Sequence, residues 1–593
     1  MKKICKHVRL IYQIFLNSYK YDCKITVFEF LHGLCLNLRK VINVFMPAWI
    51  INMIVDQKGG MAVISAAVCY GTLYCVFEMG QECFKLLQEA HGFRVINLLR
   101  LSMNQKFMRI DYADTESAQV RDAFEQAKES VWEFNDVGYV IFVDIVGNTI
   151  TFCCMSYILA DIHIVVYGIV LFLIFLAVLI QHKKAKFLHD NGLVEEIIKR
   201  KLNYISELMQ NYQVGKEIRL FHTQEFMKQR YQKQAEKYTD LIERQERKVR
   251  RLNTVQALLY WMQLSIVYLF AIGKFYLGKL PIGSLLMYIA SVNQLTESIK
   301  NLLNAGIELS QVMSYYKDYE SYMDIEEKQE NMGGEPVEES EEGVLEFRDV
   351  TFFYPGSSEA AVKHVSFVLR KNQKVGIVGE NGSGKSTLVK LMLRLYVPTY
   401  GNIYLNGKNI NTYQYREYLN VFKTVFQDFA IFSYSILENI VFDSEIDEKK
   451  LREVLQIIGL DRQLSKYEKG INSMITKVLD DEGVQLSGGE QQLVAIARAF
   501  YHPSRCIVFD EPTAALDARR EAKFFELIRS IADGKMTIFC AHRMSSTKFC
   551  DSILVMEKGE ILERGNHEAL MAKKGKYYDM FEKQASLYKV KSE

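Results

Sequence analysis

The sequence predicts two joined folds: an α-helical membrane domain with six transmembrane helices and long cytoplasmic extensions, then an α/β domain with a phosphate-binding loop. Three observations support this prediction. The first 312 residues contain six long apolar stretches, the segment Gly379–Thr387 fits the pattern G-x-x-x-x-G-K-[ST], and two short apolar runs downstream of it precede polar residues. With 593 residues, the chain is long enough for two or more domains.

The apolar stretches predict membrane spans by their length and composition. Ile164–Ile180 is uncharged and, with its flanks, long enough to cross about 30 Å of hydrocarbon. The first and last stretches are longer and more polar, so we expect them to continue into the cytoplasm or to line a cavity. In order, the predicted spans are Val27–Val55, Met61–Phe84, Val137–Ala160, Ile164–Ile180, Leu252–Phe275 and Ile282–Val312.

Four ionisable residues fall inside these spans, namely Arg39, Lys40, Glu78 and Asp144. Ionisable groups are costly in hydrocarbon and commonly face a protein interior or water. We therefore expect these four to line a pathway. The alternative is that they lie nearer the interface or pair with one another.

Basic residues predict the orientation of the chain in the membrane. Lysine and arginine are abundant before the first span and between the fourth and fifth, but sparse in the turns near Asp56–Gly60 and Asp161. The positive-inside tendency therefore predicts a multi-pass protein of the cell membrane with its termini, long connections and C-terminal domain in the cytoplasm. The basic N-terminal residues predict an interfacial elbow helix rather than a cleavable signal, and we expect no peptidase domain ahead of it.

The segments between these spans suggest the domain limits. The long connections Gln88–Asp136 and His182–Arg250 are highly charged, as expected of helices that extend into water, and each contains a break, near Asp114–Glu116 and near Gln213–Gly215. An acidic, polar stretch with paired glycines then predicts a solvated linker. The predicted divisions are 1–25 for the elbow helix, 26–317 for the membrane domain, 318–343 for the linker and 344–593 for the C-terminal domain.

The glycine-rich segment predicts a site for nucleotide phosphates. Its backbone N–H groups can wrap the β- and γ-phosphates because glycine adds no side chain between backbone and ligand. Lys385 supplies a positive charge to the phosphates, and Ser386 can offer its hydroxyl to Mg²⁺. The predicted nucleotide-binding residues of this loop are Gly379, Asn381, Gly382, Ser383, Gly384, Lys385, Ser386 and Thr387.

The two apolar runs downstream predict central strands of a parallel sheet. Cys506–Asp510 and Met536–Cys540 are short and almost continuously apolar, which is typical of strands that are buried on both faces. A carboxylate at the end of such a strand is costly to bury unless it meets a cation or water. Asp510 and the adjacent Glu511 are therefore candidate site residues, as is His542 after the second strand.

These segments, together with Leu486-Ser-Gly-Gly-Glu-Gln-Gln492, resemble the nucleotide-binding domain of ATP-binding cassette (ABC) proteins over roughly residues 344–593. The resemblance implies an α/β P-loop ATPase domain with a helical subdomain that binds ATP and Mg²⁺. The six spans with long intracellular connections, fused to one cassette, resemble a half-transporter of the exporter type. The two breaks in those connections resemble the coupling helices of such exporters.

The same resemblance implies a role for each matched residue. Tyr354 would stack on adenine, and Gln427 would contact Mg²⁺ and the attacking water. Asp510 would act on Mg²⁺ through water, and Glu511 would be the general base. His542 would lie near the γ-phosphate, and Asp517 would belong to the loop that crosses a dimer interface. The signature residues Ser487, Gly488, Gly489 and Glu490 would face the γ-phosphate held by a second half-transporter. We favour a homodimer, because every motif of a self-complementary site is present; a heterodimer is the alternative.

Two departures from the family pattern bear on this choice. The commonest signature has glutamine where this chain has Glu490, and the preceding stretch Lys477–Gly483 is unusually acidic. Both features are the reason to retain the heterodimer as an alternative. Because of the acidic stretch, the sequence predicts the transmission of motion to the membrane domain less definitely than it predicts ATP hydrolysis.

The predicted function is ATP-driven export of a peptide, an amphipathic small molecule or a lipid by alternating access. The alternatives are an importer built on the exporter fold and an ATP-gated regulatory membrane protein; the presence of Glu511 and His542 favours turnover over gating. The formal net charge of +2 gives no case for nucleic acid as a partner, and the predicted spans exclude a soluble cassette ATPase. The eleven cysteines contain no C-x-x-C pair, so we expect reduced, packed thiols.

Overall fold

The computed structural model describes residues 2–589 except 134–136, 161–163, 212–213, 279, 328–332, 339–342, 444, 512–533 and 542–543. The chain divides into two compact units. The first comprises Met1–Met108 and Gln119–Ile325, and the second comprises Arg109–Ala118 and Glu326–Glu593.

The first unit is helical. Its longest helices coincide with the predicted spans and extend beyond them, and the last one ends at Met323, inside the predicted linker. The predicted break near Asp114–Glu116 falls at a four-residue helix that is grouped with the second unit. In chain order the helices are α1 (Lys2–Tyr21), α2 (Cys23–Val55), α3 (Gly60–Arg109), α4 (Tyr112–Thr115), α5 (Ala118–Glu133), α6 (Val137–Tyr139), a π-helical segment (Val140–Gly147), α7 (Asn148–Ala160), α8 (Ile164–Gln210), α9 (Gly215–Leu220), α10 (Gln224–Tyr276) and α11 (Ile282–Met323).

Among the described residues, five helical stretches are long and apolar enough to cross a membrane by length and composition. They lie in α2, α3, α6–α7 with the π-helical segment, the first part of α8, and α10. The predicted sixth span forms the first part of α11, which is one continuous helix but contains Glu297, Lys300 and Glu308. The helical fold is therefore confirmed, and the sixth predicted span is the most polar of the set.

Buried polar side chains link the helices of this unit. Asn37 of α2 is 5% exposed; its Nδ2 donates to the Gly33 carbonyl at 2.8 Å, and its Oδ1 accepts from the Thr151 hydroxyl of α7 at 3.1 Å. Gly147 lies against Asn37 so closely that a Cβ at this position would collide with the amide. A glycine here thus lets the π-helical segment approach α2, and the amide finds partners in an otherwise apolar core.

The ionisable residues of the predicted spans have charged neighbours in the described structure. Arg39 of α2 forms an ion pair with Glu78 of α3. The Lys40 ammonium is attracted by the carboxylates of Glu297 and Asp144. For Arg39 and Glu78 the arrangement matches the alternative that such residues pair with one another.

The second unit contains two β-sheets. Its strands are β1 (Leu345–Phe353), β2 (Ala360–Leu369), β3 (Lys374–Gly379), β4 (Tyr400–Leu405), β5 (Lys408–Asn409), β6 (Phe422–Val425), β7 (Cys506–Asp510), β8 (Met536–Ala541), β9 (Ser552–Glu557) and β10 (Glu560–Gly565). Six strands form one sheet in the order β10-β9-β3-β8-β7-β6, and all neighbours in it are parallel except β10 and β9. The order β2-β1-β4-β5 forms a second, antiparallel sheet.

The central strands are buried on both faces, as their apolar sequences predict. Along β7, Val508 packs into one hydrophobic core and Ile507 and Phe509 pack into the other. Successive strand residues point to opposite faces, so a strand between two cores needs apolar residues at every position. Asp510 is thus the polar end of a fully apolar strand.

Helices surround the six-stranded sheet. They are α12 (Lys385–Met392), α13 (Tyr415–Asn420), α14 (Ile436–Val441), α15 (Glu448–Ile458), α16 (Leu460–Leu464), α17 (Gly488–Tyr501), α18 (His567–Lys573) and α19 (Lys576–Lys589). Helices α14 to α17 pack together and form the predicted helical subdomain. The α/β fold with a helical subdomain is therefore confirmed.

Candidate nucleotide-binding site

The glycine-rich loop joins the carboxyl end of β3 to the first turn of α12. Gly382 and Gly384 have φ angles of 76° and 101°, a left-handed region that favours glycine. A Cβ on Gly384 would also lie 2.5 Å from the Ala361 carbonyl oxygen. The loop therefore requires glycine both for its backbone conformation and for its close approach to β2.

Lys385 points back into this loop. Its side chain is 5% exposed, and its Nζ donates to the carbonyl oxygens of Gly379 at 3.1 Å and Glu380 at 3.2 Å. The nearest carboxylate oxygen, Oε1 of Glu511, lies 3.9 Å away. A buried ammonium group needs such acceptors, because an unpaired buried charge is strongly unfavourable.

Ser386 and Asp510 meet at the same edge of the sheet. The Ser386 hydroxyl donates to Oδ1 of Asp510 at 3.3 Å. Burial raises the pKa of Asp510, while the Ser386 hydrogen bond and the Lys385 charge oppose this increase. The two residues are 124 positions apart in sequence, and they meet because β3 and β7 both pair in parallel with β8.

Glu511 follows directly and has a φ angle of 50°, which is uncommon for a residue other than glycine. Its backbone N–H donates to the Cys540 carbonyl at 2.9 Å, which ties the end of β7 to β8. Its side chain is 11% exposed. This conformation holds a second carboxylate beside Lys385 and next to Asp510.

These residues fit a magnesium–nucleotide complex. Serine hydroxyl and carboxylate oxygens are the ligands that Mg²⁺ prefers. Within the described residues, the Ser383 hydroxyl is buried without a hydrogen-bond partner, so the loop has an additional polar group to offer to a phosphate. Ser386 and Asp510 would hold the metal, and the loop with Lys385 would hold the phosphates.

Tyr354 lies beside this loop within an aromatic cluster. Its hydroxyl shares a hydrogen bond with the Thr387 hydroxyl at 3.0 Å. Its ring contacts Phe352 edge to face at 5.1 Å and Tyr396 at 5.4 Å between centroids. The ring orientation of Tyr354 is therefore set by its neighbours, and its stacking on adenine stays a prediction.

The signature residues begin helix α17. Ser487 is the N-cap, and its hydroxyl and backbone N–H both donate to the Glu490 carboxylate, at 2.7 and 2.8 Å. Glu490 also pairs with Lys466. Burial alone would raise the pKa of Glu490, but the hydrogen bonds from Lys466 and Ser487 outweigh burial and lower it. Glu490 thus completes a capping box, which the pattern S-x-x-E could have revealed in the sequence.

Some of the other predicted site residues lie at exposed positions, and others lie outside the described residues. Asn381 lies in an exposed turn of the loop, Gln427 lies in an exposed turn after β6, and Gly488 and Gly489 form the first turn of α17. His542 and Asp517 lie outside the described residues. The structure therefore brings Tyr354, Thr387, Lys385, Ser386, Asp510 and Glu511 together. The described contacts of Ser487 and Glu490 are with their own helix and with Lys466 and Tyr467.

Sequence reasoning missed one group next to Tyr354, in the segment Arg109–Ala118. The Tyr396 hydroxyl donates to the Glu116 carboxylate, and Lys390 Nζ lies 3.8 Å from the same group. Burial and the Glu116 carboxylate raise the pKa of Tyr112 to about 12. Nearly 280 residues separate Glu116 from Tyr396, so only the tertiary structure could reveal the contact.

Comparisons with known proteins agree with this geometry. Residues 362–514 match the family model for ABC transporters. The subtilin transport ATP-binding protein SpaT of Bacillus subtilis is 31% identical over 63% of this chain and 61% of its own length. An ATP-dependent lipid A-core flippase of Methylobacillus flagellatus is 31% identical over 62% of this chain and 61% of its own length. The chain thus spans less than two thirds of these relatives.

A solved structure extends the similarity in fold to the helical unit. The ATP-bound structure of a bacterial Atm1-family ABC exporter superposes with a TM-score of 0.75 at 21% sequence identity, covering 95% of this chain and 98% of that one. At this identity the likeness concerns the fold. Residues 362–514 are thus similar to ABC transporters, and the chain as a whole has the fold of an exporter-type helical domain joined to one nucleotide-binding domain. This is the architecture of an ABC half-transporter.

Proposed function

We propose that this chain hydrolyses ATP to drive transport across the cell membrane in the export direction, with the nucleotide-binding domain in the cytoplasm. The observation that carries the proposal is the meeting of Lys385, Ser386, Asp510 and Glu511 at one edge of the parallel sheet. These groups occur on a chain whose described residues include five candidate membrane spans. A gate would need nucleotide binding alone, whereas the Glu511 carboxylate, which is 11% exposed beside the site, favours turnover.

Each residue has a separate task in this proposal. ATP with Mg²⁺ supplies the phosphoanhydride bond whose hydrolysis is the source of free energy. The loop N–H groups and Lys385 bind the phosphates and offset their negative charge. Ser386 and Asp510 orient the metal, and Glu511 accepts a proton from the attacking water. The low exposure of Lys385 and Glu511 strengthens these electrostatic interactions.

The substitution Glu511→Gln tests this assignment. It should keep ATP binding, because Lys385 and Ser386 remain, and lower the hydrolysis rate about 100-fold or more. We would measure phosphate release and ATP binding by the purified protein in lipid vesicles. Glu560→Gln, at an exposed position of β10, is the matched control. Equal hydrolysis rates for Glu511→Gln and wild type would refute the assignment of Glu511.

We also propose that the working unit is a dimer in which the signature of one chain completes the site of the other, and we favour a homodimer. Support comes from Ser487, which is exposed at the N-terminus of a 14-residue helix, a place where backbone N–H groups attract anions.

The dimer is tested by mixing Lys385→Ala and Ser487→Arg chains. A mixed homodimer has one site with both lesions and one intact site, so ATPase activity should return in part. Full activity of a demonstrated monomer would contradict the composite site, and rescue only by a different half-transporter would favour the heterodimer.

The cargo in this proposal is a peptide, an amphipathic small molecule or a lipid. The relatives named for subtilin transport and for lipid A-core flipping support this range without narrowing it. Transport would be tested by adding candidate cargo from each class, with ATP, outside inside-out vesicles and measuring ATP-dependent uptake into them. Uptake should be absent in Glu511→Gln.

A further inference from the structure

The helical unit contains a cavity of about 470 Å³ between α8, α10 and α11. Its lining includes Ile174 of α8 and Gln263 of α10, which both belong to candidate membrane spans. This volume falls within the range of small-molecule pockets in proteins, about 300–1,000 Å³. The cavity is therefore large enough for a ligand at the level of the spans.

Side-chain amides make up half of the polar residues in the described lining of the cavity. They come from all three helices, and they are Gln181, Gln256, Gln263 and Asn293. A carboxamide combines a C=O acceptor with N–H donors, as a peptide group does, and it can form several hydrogen bonds at once. Such a lining is suited to ligands that contain amide groups.

Hydrogen bonds between helices hold these amides in place. Gln263 Nε2 donates to the Thr296 hydroxyl at 2.8 Å, and the Tyr260 hydroxyl donates to Oδ1 of Asn293 at 2.9 Å. Gln256 Nε2 donates to Oε1 of Gln181 at 3.2 Å. The amides are therefore oriented before a ligand arrives, which lowers the entropy cost of binding.

The charge of the described lining is balanced. Glu297 and Lys300 lie one turn apart on α11, and both are exposed. A polyanionic headgroup requires several arginine or lysine side chains for its phosphates. A single carboxylate beside a single ammonium group instead complements a ligand that carries one charge of each sign.

Apolar side chains cover the rest of the cavity wall, among them Val178, Leu259 and Leu303. We propose that this cavity binds a short amphipathic peptide with free termini, whose amides meet the glutamine side chains and whose termini meet Glu297 and Lys300. The inference rests on the proposed transport function and narrows its cargo to a peptide rather than a polyanionic lipid.

Binding of a defined probe tests the proposal. The probe is a tritiated tetrapeptide of alternating leucine and glutamine with free termini, compared with its acetylated and amidated form. We would measure equilibrium binding to the full-length protein in nanodiscs. The free form should bind about 10-fold or more tightly than the blocked form, because charge-assisted hydrogen bonds to both termini are lost on blocking.

Two variants and a control locate the binding. Lys300→Gln should remove most of the preference for free termini, and Gln263→Leu should weaken both forms. Lys317→Gln, an exposed lysine further along α11, should bind both forms like wild type. Since Lys300 is exposed, its substitution keeps the fold, and a melting temperature equal to that of wild type would verify this.

The outcomes separate the inference from the proposed function. Non-saturable binding to wild type, stronger competition by lipid A than by unlabelled peptide, or an unchanged preference in Lys300→Gln would each overturn the peptide site. If phosphate release is measurable in wild type and lost in Glu511→Gln while peptide binding fails, then only the inference is wrong. If wild type releases no phosphate, the proposed function fails whatever the peptide result.

Discussion

The two units of this chain place their ionisable groups in opposite ways. In the second unit, Lys385, Asp510 and Glu511 gather at one edge of a parallel sheet, within a few ångströms of one another. In the first unit, charged and amide side chains are spread along helices and find partners on neighbouring helices, as Arg39 and Glu78 do. The first arrangement concentrates function in single residues, whereas the second distributes it over many.

The backbone explains this difference. Parallel strands end at the same edge, so residues far apart in sequence converge there and are held by the sheet ladder. A helix has no such edge, and its polar groups are positioned only by packing against other helices. Substitutions should therefore have large effects in the nucleotide-binding domain and graded effects in the helical unit.

After Glu511→Gln, Lys385→Ala should have the largest effect. It removes the cation from a buried position in the loop, so we expect nucleotide affinity to fall about 10-fold to 100-fold, since hydrogen bonds to charged groups are the stronger ones. Binding of a fluorescent ATP analogue would measure the loss. Lys371→Ala, in the exposed turn before β3, is the control. An affinity near that of wild type would show that function is less concentrated in the loop than we infer.

Tyr396→Ala should have an intermediate effect. Without its ring, Tyr354 loses an edge-to-face neighbour, and we expect the KM for ATP to rise about 3-fold to 10-fold, as the range for aromatic pairs suggests. Tyr396→Phe keeps the ring and removes only the hydroxyl that donates to Glu116, so its KM should stay near that of wild type. The dependence of ATPase rate on ATP concentration distinguishes the two variants. A normal KM for Tyr396→Ala would mean that the cluster does not position Tyr354.

Asp144→Asn should have a smaller effect, because in the helical unit each charged group has several polar neighbours that can replace part of its interactions. The substitution removes a carboxylate that attracts Lys40. We expect the ratio of cargo-stimulated to basal ATPase activity to change about 2-fold, since neighbouring charges such as Glu297 compensate in part. A parallel assay of Arg39→Gln, Lys40→Gln and Glu78→Gln would extend the test. If the ratio were unchanged in all four variants, these residues would not line a pathway.

Glu490→Gln should have the smallest effect. Glutamine retains the capping box but loses the pair with Lys466. Because the folded pKa of Glu490 is lowered, its stabilising contribution is present above its unfolded pKa of about 4.3 and disappears as the pH falls through the lower folded value. The melting temperature of the variant should therefore be slightly lower than that of wild type at pH 7, by about 3 °C or less, and the difference should shrink in acid. A difference that does not depend on pH would contradict the role of the charge.

Local patterns made the nucleotide-binding domain more predictable than the helical unit. The glycine spacing of residues 379–387 predicted the loop, because each left-handed glycine is a local requirement of the backbone. The apolar run before Asp510 likewise predicted a strand buried on both faces. Helix formation in the apolar spans was equally predictable, because it depends on their length and composition.

Contacts that depend on tertiary packing could not be predicted from the sequence. The bond between Tyr396 and Glu116 joins segments with no shared pattern, and the amides around the helical cavity come from three separate helices. Glu490 is a different case, because the spacing S-x-x-E in the sequence is sufficient to predict its capping box. The roles of His542 and Asp517 stay predictions.

The backbone of Glu511 has a consequence for evolution. A glutamate at a φ of 50° destabilises the fold relative to glycine or asparagine, which adopt this conformation more readily. Selection for stability alone would therefore replace it, and the residue persists only where its carboxylate is useful. A half-transporter that lost its own hydrolytic role, and relied on a partner's site, would be free to drift toward a more stable residue at this position. If Glu511 is the general base that we propose, a glutamate at this position reflects selection for turnover, which is the stability–activity trade-off expected at functional sites.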